Sequence, residues 1–241
     1  MKIVIAESAK RLGAAAAAEA AAYLREVLAQ KGYARIVLST GASQLDTIEA
    51  LIAQDLDWSK IEMFHLDEYV GLPITHIASF RKYLQERFVS KVPLMGAYFV
   101  DGTAGNITFL TEKLLEREVD LGLIGIGENG HIAFNDPPAD FDTKEAYIFV
   151  NLNDTCKRQQ VGEGWFPTLD DVPKQAVSMT CYRIMQCKKI ISSVPYAVKA
   201  EAVYQTLNNP LINTVPATLL KQHADWSLYL DRDSASKIAK F

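Results

Sequence analysis

The chain has 241 residues, 49% of them hydrophobic, 22% charged and 10% aromatic, and 25 Lys and Arg stand against 29 Asp and Glu for a net charge of −4. This is the composition of a globular protein long enough to bury a sizeable core, as one large domain or two small ones, and it excludes disordered, fibrous and mini-protein classes. The acidic balance, with no long run of one sign, also argues against nucleic acid as a partner.

Cys156, Cys181 and Cys187 lack CxxC spacing and read as reduced thiols rather than a disulfide framework or a zinc site. Residues 1–8 turn polar after four apolar side chains, too few for a signal-peptide core. No stretch approaches the roughly 20 apolar residues that span a bilayer. A cytoplasmic protein with no membrane partner is expected.

In chain order, a strand at 3–6 precedes a long helix at 8–31. Its alanine run from Ala14 to Ala22, broken by Glu19 and followed by Tyr23, Leu24, Val27 and Leu28 at helical spacing, predicts close packing on a neighbour. A strand at 36–39, a helix at 44–54, a strand at 62–66 and helices at 77–89 and 107–118 follow. Further strands are expected at 121–126, 189–194 and 226–230, with a helix at 196–206 between the last two and a short tail around Lys237. Alternating strands and helices, the strands near-continuously apolar, predict an α/β fold: a three-layer, doubly wound, mostly parallel sheet of Rossmann-like type, formed by a single domain over 1–241. Residues 127–176 contain Pro137, Pro138, Pro167 and Pro173 with Gly130, Gly162 and Gly164, and little periodicity. They are expected to be irregular and to serve as a lid or binding loop.

In doubly wound sheets ligands sit outside the carboxyl ends of the strands, so the junctions after the strands carry the chemistry. After 36–39 comes Thr40-Gly41-Ala42-Ser43 before a helix. Small residues at a helix N-terminus make a phosphate cradle, and a Ser N-cap after a Gly turn is the alternative. After 62–66 comes Asp67-Glu68-Tyr69-Val70-Gly71-Leu72. Adjacent carboxylates on an extended chain point to opposite sides, so one can enter a cleft as a general base while the other finds a structural partner; a surface pair is the alternative. After 121–126 the sequence from Gly125 to Asn135 reads Gly-Ile-Gly-Glu-Asn-Gly-His-Ile-Ala-Phe-Asn. Gly125, Gly127 and Gly130 match the dinucleotide fingerprint, but Asn135-Asp136-Pro137-Pro138 forces a turn where that fingerprint needs a helix. What remains is His131 on a glycine-rich turn, with Asn129 and Asp136 placed to orient it. His65, His76 and His223 have no comparable setting, and no His pair has metal-ligand spacing; no metal and no redox cofactor are expected.

Together these three blocks resemble the glucosamine-6-phosphate deaminase/isomerase family, over nearly the whole chain. The 6-phosphogluconolactonases of the same superfamily share the turn before the histidine, but usually follow the acidic pair with Arg and the histidine with Thr-Ala-Ser, neither of which this chain has. The resemblance implies that Thr40, Gly41, Ala42 and Ser43 bind a 6-phosphate with Lys199 and Arg158, that Asp67 is the general base, and that His131 opens the sugar ring. Residues about 147–176 would form the lid. The best-known members carry Asp two residues before the histidine and Glu five after it, where this chain has Asn129 and Asp136. Backbone N–H groups at Gly125 and the following turn are expected to stabilise developing oxygen charge.

The implied reaction converts glucosamine 6-phosphate to fructose 6-phosphate and ammonia. A galactosamine-6-phosphate enzyme, a lactonase-like hydrolase and a non-catalytic sugar-phosphate sensor are the alternatives. Hexameric, allosterically activated members have a longer C-terminal tail and basic residues where this chain has Tyr147 and Phe149. A monomer or small homo-oligomer without that activation is expected.

Overall fold

The computed structural model describes residues 1–238. Ten strands alternate with helices: β1 (Lys2–Ala6), α1 (Ala9–Lys31), β2 (Ala34–Leu38), α2 (Leu45–Ile52), β3 (Ile61–His65), β4 (Asp67–Tyr69), α3 (Phe80–Leu84), β5 (Gly96–Tyr98), α4 (Ala104–Leu115), β6 (Leu121–Leu123), β7 (Tyr147–Asn151), α5 (Asp154–Gly162), β8 (Gln175–Met179), α6 (Cys181–Ile184), β9 (Lys189–Val194), α7 (Ala200–Asn208) and β10 (Trp226–Asp231). Seven strands form one sheet in the order β1-β10-β9-β6-β2-β3-β5, and every pair in it is parallel. The mostly parallel α/β sheet read from the alternation is therefore the observed one.

Strand pleat builds the two cores. Ile36 and Leu38 of β2 join Leu12, Ala16, Ala20 and Ile48 on one face, while Val37 faces Leu110, Leu114, Ala202 and Val203 on the other. α1 starts at Ser8, whose side chain accepts from the Arg11 N–H, and stops at Gly32, a left-handed residue (φ 76°) that donates to the Leu28 carbonyl. Its Ala16, Ala17, Ala20 and Ala21 are fully buried. At Gly13 an added Cβ would lie 2.6 Å from the Asp46 carbonyl carbon, so the alanine run and this glycine let α1 and α2 touch backbone to backbone.

The expected irregular stretch at 127–176 is only partly so. It contains β7, α5 and the start of β8; β4, β8 and β7 form a separate three-stranded antiparallel sheet. These strands escape a periodicity search because they are short: β4 has three residues, and β7 alternates in burial with an exposed Phe149. β5 was missed for the same reason. Around this small sheet a third core gathers Tyr69, Leu72, Phe134, Cys156 and Phe166, with Tyr69 between Phe80, Phe134 and Phe166. The helix expected at 77–89 begins at Phe80 and passes into a π-helical turn at Gln85–Val89. Of the tail expected around Lys237, residues to 238 form turns and the remainder lies outside the described residues. Among the described residues no helix is long and apolar enough to cross a membrane.

Candidate active site

The sheet order reverses beside β2. The chain leaves β2 for β3 and β5 on one side and returns to β6 on the other, which opens a crevice at the carboxyl ends of β2 and β6. A cavity of about 320 Å³ sits there, lined from five junctions by Ser39–Ser43 (39–43), Leu66–Asp67 (66–67), 125–128 with His131, 159–165 of the α5 region, and 196–199. Ser39 ties two of these junctions. Its hydroxyl donates to the Leu123 carbonyl at 2.8 Å and accepts the Gly125 N–H at 3.1 Å.

Gly41 has φ 102°, a conformation open to glycine, and turns the chain into a 3-10 turn at Ala42–Gln44 that runs into α2. The buried Gln44 amide holds this loop by donating to the Ser193 carbonyl at 3.1 Å and to the Ser43 hydroxyl at 3.0 Å, and the Tyr83 hydroxyl donates to the Gly41 carbonyl at 3.0 Å. Helix-opening N–H groups have no acceptor within their own helix, so this loop presents donors to the cavity. Lys199 enters from the far side, just before α7, and is buried. Burial pulls its pKa down, against the opposing fields of Glu163 and Glu128. It makes no ion pair among the described residues, so its ammonium is open to an incoming anion.

Where the chain leaves β3, Asp67 and Glu68 point to opposite sides, as the extended backbone requires. Glu68 is fully buried in a structural role. One oxygen accepts from the N–H groups of Tyr69 (3.0 Å) and Phe80 (3.2 Å), the other from Ser79 Oγ (2.9 Å) and the Arg81 N–H (2.8 Å). Asp67, 6% exposed, has no side-chain hydrogen bond among the described residues and faces the cavity. Burial, reinforced by the charge of Glu68, raises its pKa well above the usual carboxylate range. A carboxyl so placed takes up a proton readily.

Across the cavity, His131 Nδ1 lies 2.6 Å from Asn129 Oδ1 and 3.3 Å from Asp136 Oδ1, while the Asn129 amide donates to Asp136 Oδ1 at 3.3 Å. Since Asn129 Oδ1 can only accept, Nδ1 carries the hydrogen and Nε2 keeps the lone pair. Burial lowers the His131 pKa, with Asp136 opposing, which favours the neutral ring. The shorter Asp136 side chain still reaches the ring. The glycines of this turn serve the histidine: an added Cβ on Gly127 would fall 2.1 Å from His131 Cε1, and Gly130 has φ 81°. No helix follows Gly130 before β7, so the fingerprint match has no pyrophosphate-binding helix behind it.

One expectation fails on geometry and a second narrows. Arg158 lies outside the cavity; its side chain is 65% exposed and pairs with Asp154 at 3.5 Å, lining a neighbouring surface hollow. α5 turns Cys156 and Gln160 inward, and Arg158, about 200° around the helix from each, must face away. The Gly125 N–H is already given to Ser39 Oγ and the Gly127 N–H to the His131 carbonyl at 2.9 Å, so neither is free for an oxyanion. Conversely, Glu128, Gln159, Glu163, Trp165 and Tyr196 line the cavity without having been singled out in the sequence. α5 was hidden in the stretch expected to be irregular, and Tyr196 occupies a strained φ of 81° that no motif announces.

A family model described as glucosamine-6-phosphate isomerases/6-phosphogluconolactonase matches residues 7–228. The chain belongs to this family. Within the glucosamine-6-phosphate isomerase/6-phosphogluconolactonase family it is similar to a glucosamine-6-phosphate deaminase of Oenococcus oeni, 34% identical over 88% of this chain and 89% of that protein. A Streptococcus pneumoniae protein of the same name is 32% identical, covering 90% and 92%. A solved structure of a monomeric glucosamine-6-phosphate deaminase superposes with a TM-score of 0.89 at 29% identity, covering 98% of this chain and all of that one. A Trypanosoma brucei 6-phosphogluconolactonase, 18% identical with a TM-score of 0.81 over 99% of this chain and 98% of its own, shares the fold.

Proposed function

We propose that this chain is an amino-sugar phosphate deaminase/isomerase that converts glucosamine 6-phosphate and water to fructose 6-phosphate and ammonia. The observation that carries the reading is that one cavity is lined both by a buried Asp67 and by His131 held at Nδ1 by Asn129, with no side-chain hydrogen bond to Asp67 or to His131 Nε2 among the described residues. The named relatives at 32% and 34% identity support it.

The 40–43 loop and Lys199 hold the phosphate. His131 Nε2 takes the proton of the anomeric hydroxyl and passes it to the ring oxygen; the C1–O5 bond breaks and a C1 aldehyde forms. Asn129 and Asp136 keep the ring in the required tautomer. The aldehyde acidifies the C2 proton, which the Asp67 carboxylate removes and returns to C1 while a proton of the C2 ammonium passes to the C1 oxygen. The resulting C2 iminium adds water and expels ammonia, leaving the ketose. α5 closes over the site, latched where the Tyr69 hydroxyl donates to Gln160 Oε1 at 2.7 Å. The chain acts as a monomer, in line with the described state of its structural relative.

Incubation with glucosamine 6-phosphate should release ammonia and fructose 6-phosphate in equal amounts. Release from galactosamine 6-phosphate alone would move the substrate to the C4 epimer. Hydrolysis of 6-phosphogluconolactone without ammonia release from either sugar would replace the reading by the lactonase one. Lys199→Ala is expected to raise KM roughly 10- to 100-fold through loss of a charge-assisted contact, while Arg158→Ala leaves KM within about twofold. Steady-state kinetics of the pair checks the phosphate site; equal effects would return Arg158 to it.

A further inference from the structure

The cavity carries more negative charge than the steps above use. Besides Asp67, which has its step, Glu128 and Glu163 line it against a single lysine, Lys199. A phosphate ester with no other charge gains little from such a wall. A zwitterion, with phosphate at one end and ammonium along its length, matches it.

Of the two carboxylates without a step, Glu163 is the one held in place. It ends α5, where its Oε1 accepts from Gln159 Nε2 at 2.8 Å and its Oε2 from Trp165 Nε1 at 2.9 Å. Gln159 and Trp165 line the cavity beside it. A carboxylate has about four acceptor positions, so two remain for a ligand. Glu163 lines the same cavity as His131 and Lys199 and also borders the neighbouring surface hollow, so it stands at the mouth of the site. It forms no ion pair with Lys199 among the described residues, so it is not merely that lysine's counter-ion. Glu128 acts on Lys199 but has no comparable hydrogen-bonded support among the described residues.

We propose that Glu163 is a specificity-determining residue whose carboxylate receives the C2 ammonium of the substrate and so selects aminated over hydroxylated sugar phosphates. This rests on the deaminase reading and names the side chain behind its substrate choice.

Two unreactive alditols separate the charge from everything else: 2-amino-2-deoxyglucitol 6-phosphate and glucitol 6-phosphate differ at C2 only, and neither has the C1 carbonyl needed for turnover. Their Kd values for the wild type and Glu163→Gln, by titration calorimetry, are the test. The wild type should prefer the amine. Glu163→Gln, which keeps the side-chain shape, should weaken the amine about tenfold and leave glucitol 6-phosphate unchanged. Added salt should shrink the wild-type preference and not the variant's, because Glu163 is exposed at the mouth. Equal weakening of both alditols would make Glu163 a support of α5 or of the phosphate site and overturn the proposal, as would an unchanged preference in the variant. Ammonia release by the wild type is measured alongside. With release intact, either of those results removes the Glu163 assignment alone; no release from any amino-sugar phosphate removes the deaminase reading, and this assignment with it.

Discussion

Replacing Asp67 with Asn is expected to lower kcat by about 10³-fold or more while the protein becomes harder to unfold. The first effect is loss of the group that, in the proposed mechanism, moves the C2 proton, since general-base contributions run to roughly 10²–10⁴-fold; phosphate affinity, which the same proposal assigns to the 40–43 loop and Lys199, should be nearly unchanged. The second follows from burial. Asp67 has no hydrogen bond among the described residues, and its pKa is raised by desolvation first and Glu68 second. The folded state therefore favours the neutral acid. Stability present below the unfolded-chain value near 3.9 is lost as pH rises through the raised folded value. Asn cannot ionise, so the variant's gain in Tm should be small near pH 3.5 and widen toward neutrality. For the wild type, the acid limb of kcat/KM should lie above the ordinary carboxylate range. Normal turnover by Asp67→Asn, in a stopped ammonia assay, would remove Asp67 from the base role; a Tm difference independent of pH would remove the burial argument.

Gly127→Ala is expected to be nearly as damaging, though it deletes no chemical group. The added Cβ would lie 2.1 Å from His131 Cε1 and 2.3 Å from both ring nitrogens, so the imidazole must leave its place and break its 2.6 Å contact with Asn129. A displacement of about 1 Å at a reacting group costs on the order of 10²-fold in rate, and overpacking adds roughly 1–3 kcal/mol of destabilisation. The variant should keep its far-ultraviolet circular dichroism and lose its kcat/KM. Retention of kcat/KM would mean that the His131 ring as placed here is not the working one.

Five of the six strands read from apolar runs, β2, β3, β6, β9 and β10, gave a continuous signal because they are covered on both faces, whereas the edge strand β1 is only partly buried and shows as an apolar run alone. Two sides of the cavity could be read as well. Adjacent carboxylates after a strand must diverge, and Asp67 and Glu68 do. A histidine after a glycine-rich turn that cannot open a helix must serve something other than a dinucleotide, and the glycines of that turn make room for His131 itself. The small sheet was not legible. β4 and β7 owe their order to pairing with β8 across more than a hundred and about thirty residues respectively, not to any local pattern. Arg158 shows the complementary error: the family resemblance pointed to the phosphate, but helix phase turned the guanidinium outward.

What the sequence determined by itself were properties carried by local alternation and by residues adjacent in the chain: the strand and helix order, the divergence of Asp67 from Glu68, the turn that carries His131, and the family resemblance. Tertiary structure alone decided what converges on the cavity. Gln159, Glu163, Trp165 and Tyr196 arrive from segments far from Asp67 in sequence, and their place depends on strand order and on the rotation of α5. The same convergence settles which backbone donors are left free, because Ser39 takes the Gly125 N–H only once β2 and β6 lie side by side. Local chemistry is written along the chain, whereas the electrostatic sum at a site forms only when distant side chains meet in a medium of low dielectric.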